Sequence, residues 1–321
     1  MINRRFGRLD WQVSEIGYGM WGMGGWTGSD DIESHRSLDR AVELGCNFFD
    51  TAFAYGLGKS ERLLGSLLKR CQGRKLYVAT KVPPKNGIWP GRSTTPIAEV
   101  YPPEYIRELT EKSLENLGVD SLDLQQLHVW SDAWVRDEGW QRAVEDLKRQ
   151  KLIRGFGISV NRWQPGNVIH ALETGLVDSV QVVYNIFDQN PEDELFPACH
   201  RHDVAVIARV PFDEGSLTGT LRRDSTWPEG DWRNVYFTPS NIAATLERVE
   251  AVRPLVPDGM DMAELALRFI LASPTVSTVI PGMRKTAHVD RNLAVSDDNP
   301  LDLKALNALR AHRWVRTSDI E

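Results

Sequence analysis

The chain of 321 residues has only three cysteines, Cys46, Cys71 and Cys199, and they lie far apart. That spacing is neither a disulfide framework nor a zinc-ligand pattern, and it fits a reducing, cytoplasmic setting. No apolar run approaches the ~18 residues that a membrane helix requires, and the opening MINRRFGRLDW lacks the apolar core of a signal peptide. Blocks of one charge sign are missing too. The 44 acidic and 38 basic side chains are interspersed, for a formal charge of −6, which argues against nucleic acid as a partner. No Ser/Gly linker or low-complexity stretch marks a boundary. Tyrosine is scarcer than tryptophan, 7 against 11, which composition alone does not explain.

A chain of this length buries roughly three-quarters of its unfolded surface and needs no covalent staples. Length alone allows two medium domains or one large α/β barrel. What is present decides between them. Short apolar, β-rich runs occur at 14–19, 47–52, 76–82, 122–128, 155–159, 179–184, 204–210 and 277–282. Amphipathic stretches alternate with them, at 33–44, 59–69, 103–117, 137–151, 165–173, 191–201, 240–254 and 261–272. Gly45 and Gly118 close two of these, and Pro102-Pro103 opens one. Strands that read as buried, alternating with helices, predict a (β/α)8 TIM barrel formed by residues 1–321 as one domain. A small hairpin precedes it and extra helices follow at the C-terminal end; a doubly wound sheet is the alternative.

Gly17-Tyr18-Gly19-Met20-Trp21-Gly22 matches the G-x-G-x-x-G dinucleotide fingerprint. A true fingerprint opens a helix at its third glycine, so that the helix N-terminus meets the pyrophosphate. Here MGGWTGSDD follows before any helical pattern, so a glycine-rich strand end is the better reading. His200-Arg201-His202 is a second decoy: it precedes a strand and so falls on the face of a barrel that serves stability, and no metal site is expected. Glu43, Glu61 and Glu264 lie in helical stretches and read as surface or capping residues.

In a barrel the chemistry gathers at the C-terminal ends of the strands. Asp50 ends the second strand, with Tyr55 five residues on; Lys81 ends the third and His128 the fourth. Ser159 ends the fifth with Asn161 just beyond, and Gln181 lies on the sixth. Singly, each has an ordinary role: a turn cap, a packed ring, a solvated ammonium, a core imidazole. Together, an acid, a phenol, an ammonium and an imidazole on one rim suit proton transfer to a carbonyl or from an alcohol. A phenol titrates near 10, and an adjacent cation lowers that value. Lys81 is the expected cation, held by Asp50. None of these groups moves electrons, so reduction requires a bound hydride donor.

Over nearly its whole length the chain resembles the aldo-keto reductases. The matching motifs are Phe49-Asp50-Thr51-Ala52-(x2)-Tyr55-Gly56, Ser60-Glu61-(x2)-Leu64-Gly65, Ala79-Thr80-Lys81, Leu122-Asp123-Leu124-(x2)-Leu127-His128, Gly157-Ile158-Ser159, Gln181-(x2)-Tyr184-Asn185 and Ile280-Pro281-Gly282. The resemblance implies a barrel that binds NADP(H), with NAD(H) as the other option, across its rim. It implies a catalytic tetrad of Asp50, Tyr55, Lys81 and His128, with Tyr55 as general acid in reduction. Ser159 and Gln181 match the carboxamide contacts, and Asn161 stands one place after the usual Asn. Arg209 replaces the tyrosine that stacks on the nicotinamide, a role a planar guanidinium can take. Pro211, Phe212 and Leu217 match the pyrophosphate loop, where Asp213 and Glu214 are compatible with phosphates only if they face outward. Asn292 matches the adenine contact. Gly282 and His288 stand where many members carry Lys and Arg, and Arg284 with Lys285 are near enough in sequence to meet a 2′-phosphate.

Trp21, at the rim, is expected to serve both cofactor and substrate. Phe53, Trp89 and Trp130 complete an expected aromatic pocket for a small-molecule carbonyl or alcohol, whereas Trp11, Trp140 and Trp163 read as packing. Trp227 and Trp232 lie in a long loop, 213–239, that either folds over the cofactor or is anchored by them. The rival function class is a non-catalytic, cofactor-binding regulatory subunit on the same fold.

Overall fold

A computed structural model describes residues 1–25 and 28–316. The chain opens with a hairpin, β1 (Asn3–Phe6) antiparallel to β2 (Trp11–Ser14). Gly7 in its turn has φ +48°, and a Cβ there would come within 2.6 Å of the Ala205 nitrogen, so the turn requires glycine. Eight parallel strands follow: β3 (Tyr18–Gly19), β4 (Phe48–Asp50), β5 (Tyr77–Val82), β6 (Leu122–Leu127), β7 (Ile153–Ser159), β8 (Ser179–Val183), β9 (Ala205–Arg209) and β10 (Val276–Val279). Each pairs with its sequence neighbours, and bridges Ile16–Val279 and Gly19–Gly282 join the last strand to the first. The sheet is therefore the expected (β/α)8 barrel. The strand expected at 14–19 shrinks to two residues plus a bridge, because its glycines let neighbouring backbones close in: a Cβ on Gly19 would sit 2.6 Å from the Ile280 oxygen. The G-x-G-x-x-G run is thus a strand end, and the first helix begins only at Asp31.

Helices cover the outside. They are α1 (Asp31–Glu43), α2 (Lys59–Arg70), α3 (Ile97–Val100), α4 (Pro103–Leu117), α5 (Glu138–Arg149), α6 (Ile169–Glu173), α7 (Leu195–Arg201), α8 (Arg233–Tyr236), α9 (Pro239–Val252), α10 (Met262–Leu271), α11 (Thr286–Leu293) and α12 (Leu303–Arg310). Their starts follow from capping side chains: Asp30, Asp137, Asp261 and Asp302 each accept from backbone N–H groups of the first turn. Gly118, in the left-handed region, ends α4 as expected. The helix expected at 165–173 starts only at Ile169, and that expected at 191–201 only at Leu195, after a short 3-10 turn containing Pro191. His200 lies in the last turn of α7 and His202 follows that helix, at the N-terminal side of β9 and away from the rim. Among the described residues no helix is long and apolar enough to cross a membrane.

The core has two parts. Inside the barrel, Phe48, Ala79, Leu124, Ala205 and Ile207 pack on Phe6, Trp11 and Val13 of the hairpin, which closes the N-terminal mouth. Trp11 stacks on Tyr77 at 5.0 Å and on Phe6 at 5.4 Å. Between barrel and helices lies the larger apolar layer. Here the structure corrects one expectation. Trp130 is 1% exposed, edge-on to Trp134 at 5.8 Å and to Trp140 at 5.1 Å, so it is core and not pocket wall. The reason is the chain's path: after His128 it turns outward, where Trp130 meets α5. Trp130→Ala should cost about 3–5 kcal/mol of stability in urea unfolding. A loss under about 1 kcal/mol would return Trp130 to a surface-like role.

Candidate active site

Strand alternation decides which side chains enter the barrel. On β6, Leu124 and Gln126 point inward, and His128 follows at the rim. The parallel register places Lys81 beside Gln126 and Gln126 beside Gly157. Gly157 makes room: a Cβ there would lie 2.3 Å from Ser179 Oγ and 3.0 Å from Gln126 Cγ.

Asp50 and Lys81 form an ion pair at the top of the barrel, Nζ to Oδ1 2.6 Å, with side chains 3% and 0% exposed. Lys81 also donates to the Thr51 carbonyl at 2.7 Å. The second carboxylate oxygen of Asp50 accepts from Gln181 Nε2 at 2.7 Å and Gln126 Nε2 at 3.4 Å. Such a pair survives desolvation only when its other lone pairs and protons are satisfied, and here they are. Lys81 Nζ lies 5.2 Å from the centre of the Tyr55 ring, and His128 is edge-on to that ring at 5.8 Å. The four residues singled out in the sequence are thus brought together.

The electrostatics differ from the sequence expectation at Tyr55. Lys81 and Arg209 do pull its phenol toward ionisation, but burial outweighs them, with Asp50 adding to it, and the net shift is upward. Tyr55 is a proton-bearing phenol at neutral pH. Burial, then Lys81 and Arg209, hold His128 well below the ordinary imidazole value, so its ring is neutral. Its Nδ1 is buried without a hydrogen-bond partner among the described residues.

Around this centre lie the other expected residues. Ser159 is buried at the end of β7, and Asn161 Oδ1 accepts from the Trp163 N–H in a tight turn. Gln181 is turned toward Asp50 by its amide nitrogen. Arg209 ends β9, donates to the Val160 carbonyl at 3.1 Å, and has a buried Nε without a partner among the described residues. The orphaned Arg209 donor near Tyr55 fits a planar polar group such as a nicotinamide and its amide. Pro211, Phe212 and Leu217 follow β9 directly. Asp213 does not face outward as phosphates there were expected to require: it is fully buried, with Arg162 Nη2 2.6 Å and Arg316 Nη1 2.9 Å from its Oδ1. On the far side, Gly282 is exposed with open space where a Cβ would point, Asn292 is buried on α11, and His288 is exposed on α11. Lys285 stands at the start of that helix; Arg284 lies against Gly22, its Cδ 3.3 Å from where a Cβ would be.

Of the aromatic set, Trp89 is 48% exposed and edge-on to His128 at 4.6 Å, and Trp21 is 45% exposed. Phe53 packs partly into the core, while Trp227 stacks on Phe237 and anchors its loop. Sequence reasoning missed three groups. Glu61, taken for a surface residue, is fully buried and accepts from Thr80 Oγ1 at 2.6 Å and Asn116 Nδ2 at 2.8 Å, tying α2 and α4 to the strand that carries Lys81. Gln126 was legible from its alternation with His128. Arg162 and Arg316 carried no local signal, since their partners are 26 to 52 residues away for Arg162 and more than 100 for Arg316.

The family model described as "Aldo/keto reductase family" matches residues 15–313. The chain is 30% identical to the uncharacterized oxidoreductase YqkF of Bacillus subtilis, over 97% of this chain and 96% of that protein. It is 28% identical to the NADH-specific methylglyoxal reductase of Escherichia coli, over 93% and 94% respectively. Among solved structures, the holo form of aldo-keto reductase AKR11C1 from Bacillus halodurans superposes with a TM-score of 0.77 at 28% identity, covering 100% of this chain and 99% of that one. The chain belongs to the aldo-keto reductase family of oxidoreductases.

The buried ion pair makes a stability prediction independent of catalysis. Lys81→Met should cost about 3–5 kcal/mol in urea unfolding, because it strands a buried carboxylate. Lys81→Met with Asp50→Asn should lose less than Lys81→Met alone. Additive losses would show that the two charges do not stabilise one another.

Proposed function

We propose that this member of the aldo-keto reductase family reduces an aldehyde or ketone to the alcohol with NADP(H), using Tyr55 as general acid. The carrying observation is the buried Asp50–Lys81 pair beside Tyr55, with neutral His128 edge-on to the phenol ring. The nicotinamide, when bound, supplies the hydride. The protein's own residues do the rest. Tyr55 bears the proton that passes to the substrate oxygen. Lys81 stabilises the phenolate left behind, and Asp50 fixes the ammonium. Neutral His128 orients the oxygen by hydrogen bonding and does not compete as a proton source. Ser159, Asn161 and Gln181 would hold the carboxamide, Arg209 would stack on the ring, Pro211, Phe212 and Leu217 would carry the pyrophosphate, and Asn292 the adenine. Gly282 and His288 would border the adenosine end. Trp21, Phe53 and Trp89 would wall the substrate side, and an aromatic wall favours apolar or sugar-like faces.

Tyr55→Phe should leave NADPH affinity nearly unchanged and remove most turnover in an aldehyde panel; wild-type kcat in that variant would overturn the assignment. The pH profile tests the same group. Reduction needs the protonated phenol, whose raised pKa keeps it intact until pH rises through a value above the ordinary 10.0. The rate of the chemical step should therefore be flat from about pH 6 to about pH 9, with no loss on the acid side from His128.

NADP(H) is preferred to NAD(H) because Arg284 and Lys285 stand at the rim before α11. Arg284→Ala should raise KM for NADPH more than for NADH. Equal effects on both would remove the phosphate role.

A further inference from the structure

We propose that Arg316, on the segment after α12, is a positioning residue of the dinucleotide site, neutralising the acid-bearing loop at 211–219. The inference rests on the reading of that loop as the pyrophosphate-binding segment.

Three carboxylates converge there. Asp188 Oδ2, Asp213 Oδ1 and Glu214 Oε1 lie 2.9, 2.6 and 3.4 Å from the guanidinium of Arg162. One cation cannot balance three acids at a place that must accept a second, larger anionic charge. Arg209, at the end of β9, is a second cation near enough to Glu214 for their charges to interact. Arg316 is the third. Its side chain is 6% exposed, with Nη1 2.9 Å from Asp213 Oδ1 and Nη2 3.9 Å from Asp188 Oδ2. Three guanidiniums then face three carboxylates, and removing Arg316 leaves one uncompensated charge beside the loop. Arg316 also keeps buried N–H donors that are not aligned with any acceptor among the described residues, a reserve that suits an approaching anion.

The segment is built to deliver this side chain. Arg313 pairs with Asp193, and the Trp314 N–H donates to the Phe187 carbonyl at 2.8 Å. The Trp314 ring lies 4.3 Å from the Arg248 guanidinium and 4.2 Å from that of Arg316. Tyr236 completes the enclosure: its hydroxyl donates to Asp213 at 2.9 Å, and its ring lies 5.8 Å from Arg316. The loop needs such clamping, because Val210, Asp213 and Glu214 all have positive φ, which non-glycine residues adopt only when held.

The test is NADPH binding measured by quenching of tryptophan fluorescence, with release followed by stopped flow and the thermal midpoint monitored in parallel. Arg316→Met should raise Kd for NADPH about tenfold, chiefly through faster release, with kcat at saturating cofactor falling less than about threefold. Arg316→Lys should keep most of the affinity, since it retains the charge. Arg316→Gln keeps the polar reach without the charge and must show the same loss, which covers the case that Arg316→Met does not fold. Kd within twofold of wild type in both neutral variants overturns the inference while leaving the loop's role standing. Failure of the wild-type protein to bind either nicotinamide dinucleotide overturns the underlying reading, and the inference with it.

Discussion

The ion pair between Asp50 and Lys81 is the constraint around which the catalytic rim is arranged. Two opposite charges removed from water destabilise a fold unless geometry and hydrogen bonding compensate. That requirement accounts for residues that otherwise look incidental. Gln181 and Gln126 turn their amides to the second oxygen of Asp50, and the Thr51 carbonyl takes a second donor of Lys81. Gly157 is on its strand because a larger residue would displace Gln126. Glu61 braces Thr80, the neighbour of Lys81, from the helix layer.

The same low-dielectric setting controls the titrating groups. A cation beside a phenol favours the phenolate, and at Tyr55 two cations do so; burial nevertheless prevails and the proton stays. At His128 burial and the neighbouring cations act in one direction, toward the neutral ring. The result is a protonated phenol beside a neutral imidazole, the pairing that the proposed reduction uses. At the loop after β9 the balance is struck differently, with arginines brought in from β9, from the loop after β7 and from the C-terminal segment to face three acids. Stability and chemistry occupy opposite ends of the barrel: the hairpin closes one mouth with Phe6 and Trp11, and the polar strand ends line the other.

Much of this was legible in the residue order. Alternating buried strands and amphipathic helices indicate a parallel α/β fold, because parallel strands covered on both faces read as continuous apolar runs, and the bridges that join the last strand to the first decide for the barrel over the doubly wound sheet. The rule that barrel chemistry lies at strand ends singled out Asp50, Tyr55, Lys81 and His128, since local spacing places Asp50, Lys81 and His128 at the ends of three successive strands and Tyr55 in the turn after the first of them. Gly45 and Gly118 marked the ends of two helices and Pro102-Pro103 the start of one, again by local geometry. Tertiary structure decided what local pattern cannot express. It placed Trp130 in the core although Trp89, with the same side chain, stays at the rim over His128. It buried Glu61 and Asp213, whose partners come from distant segments, and it drew Arg316 against a loop about a hundred residues earlier. Burial, charge pairing and the direction of a pKa shift are properties of three-dimensional neighbourhoods. Residue order fixes the strand on which a group rides, and packing alone determines which charges face it.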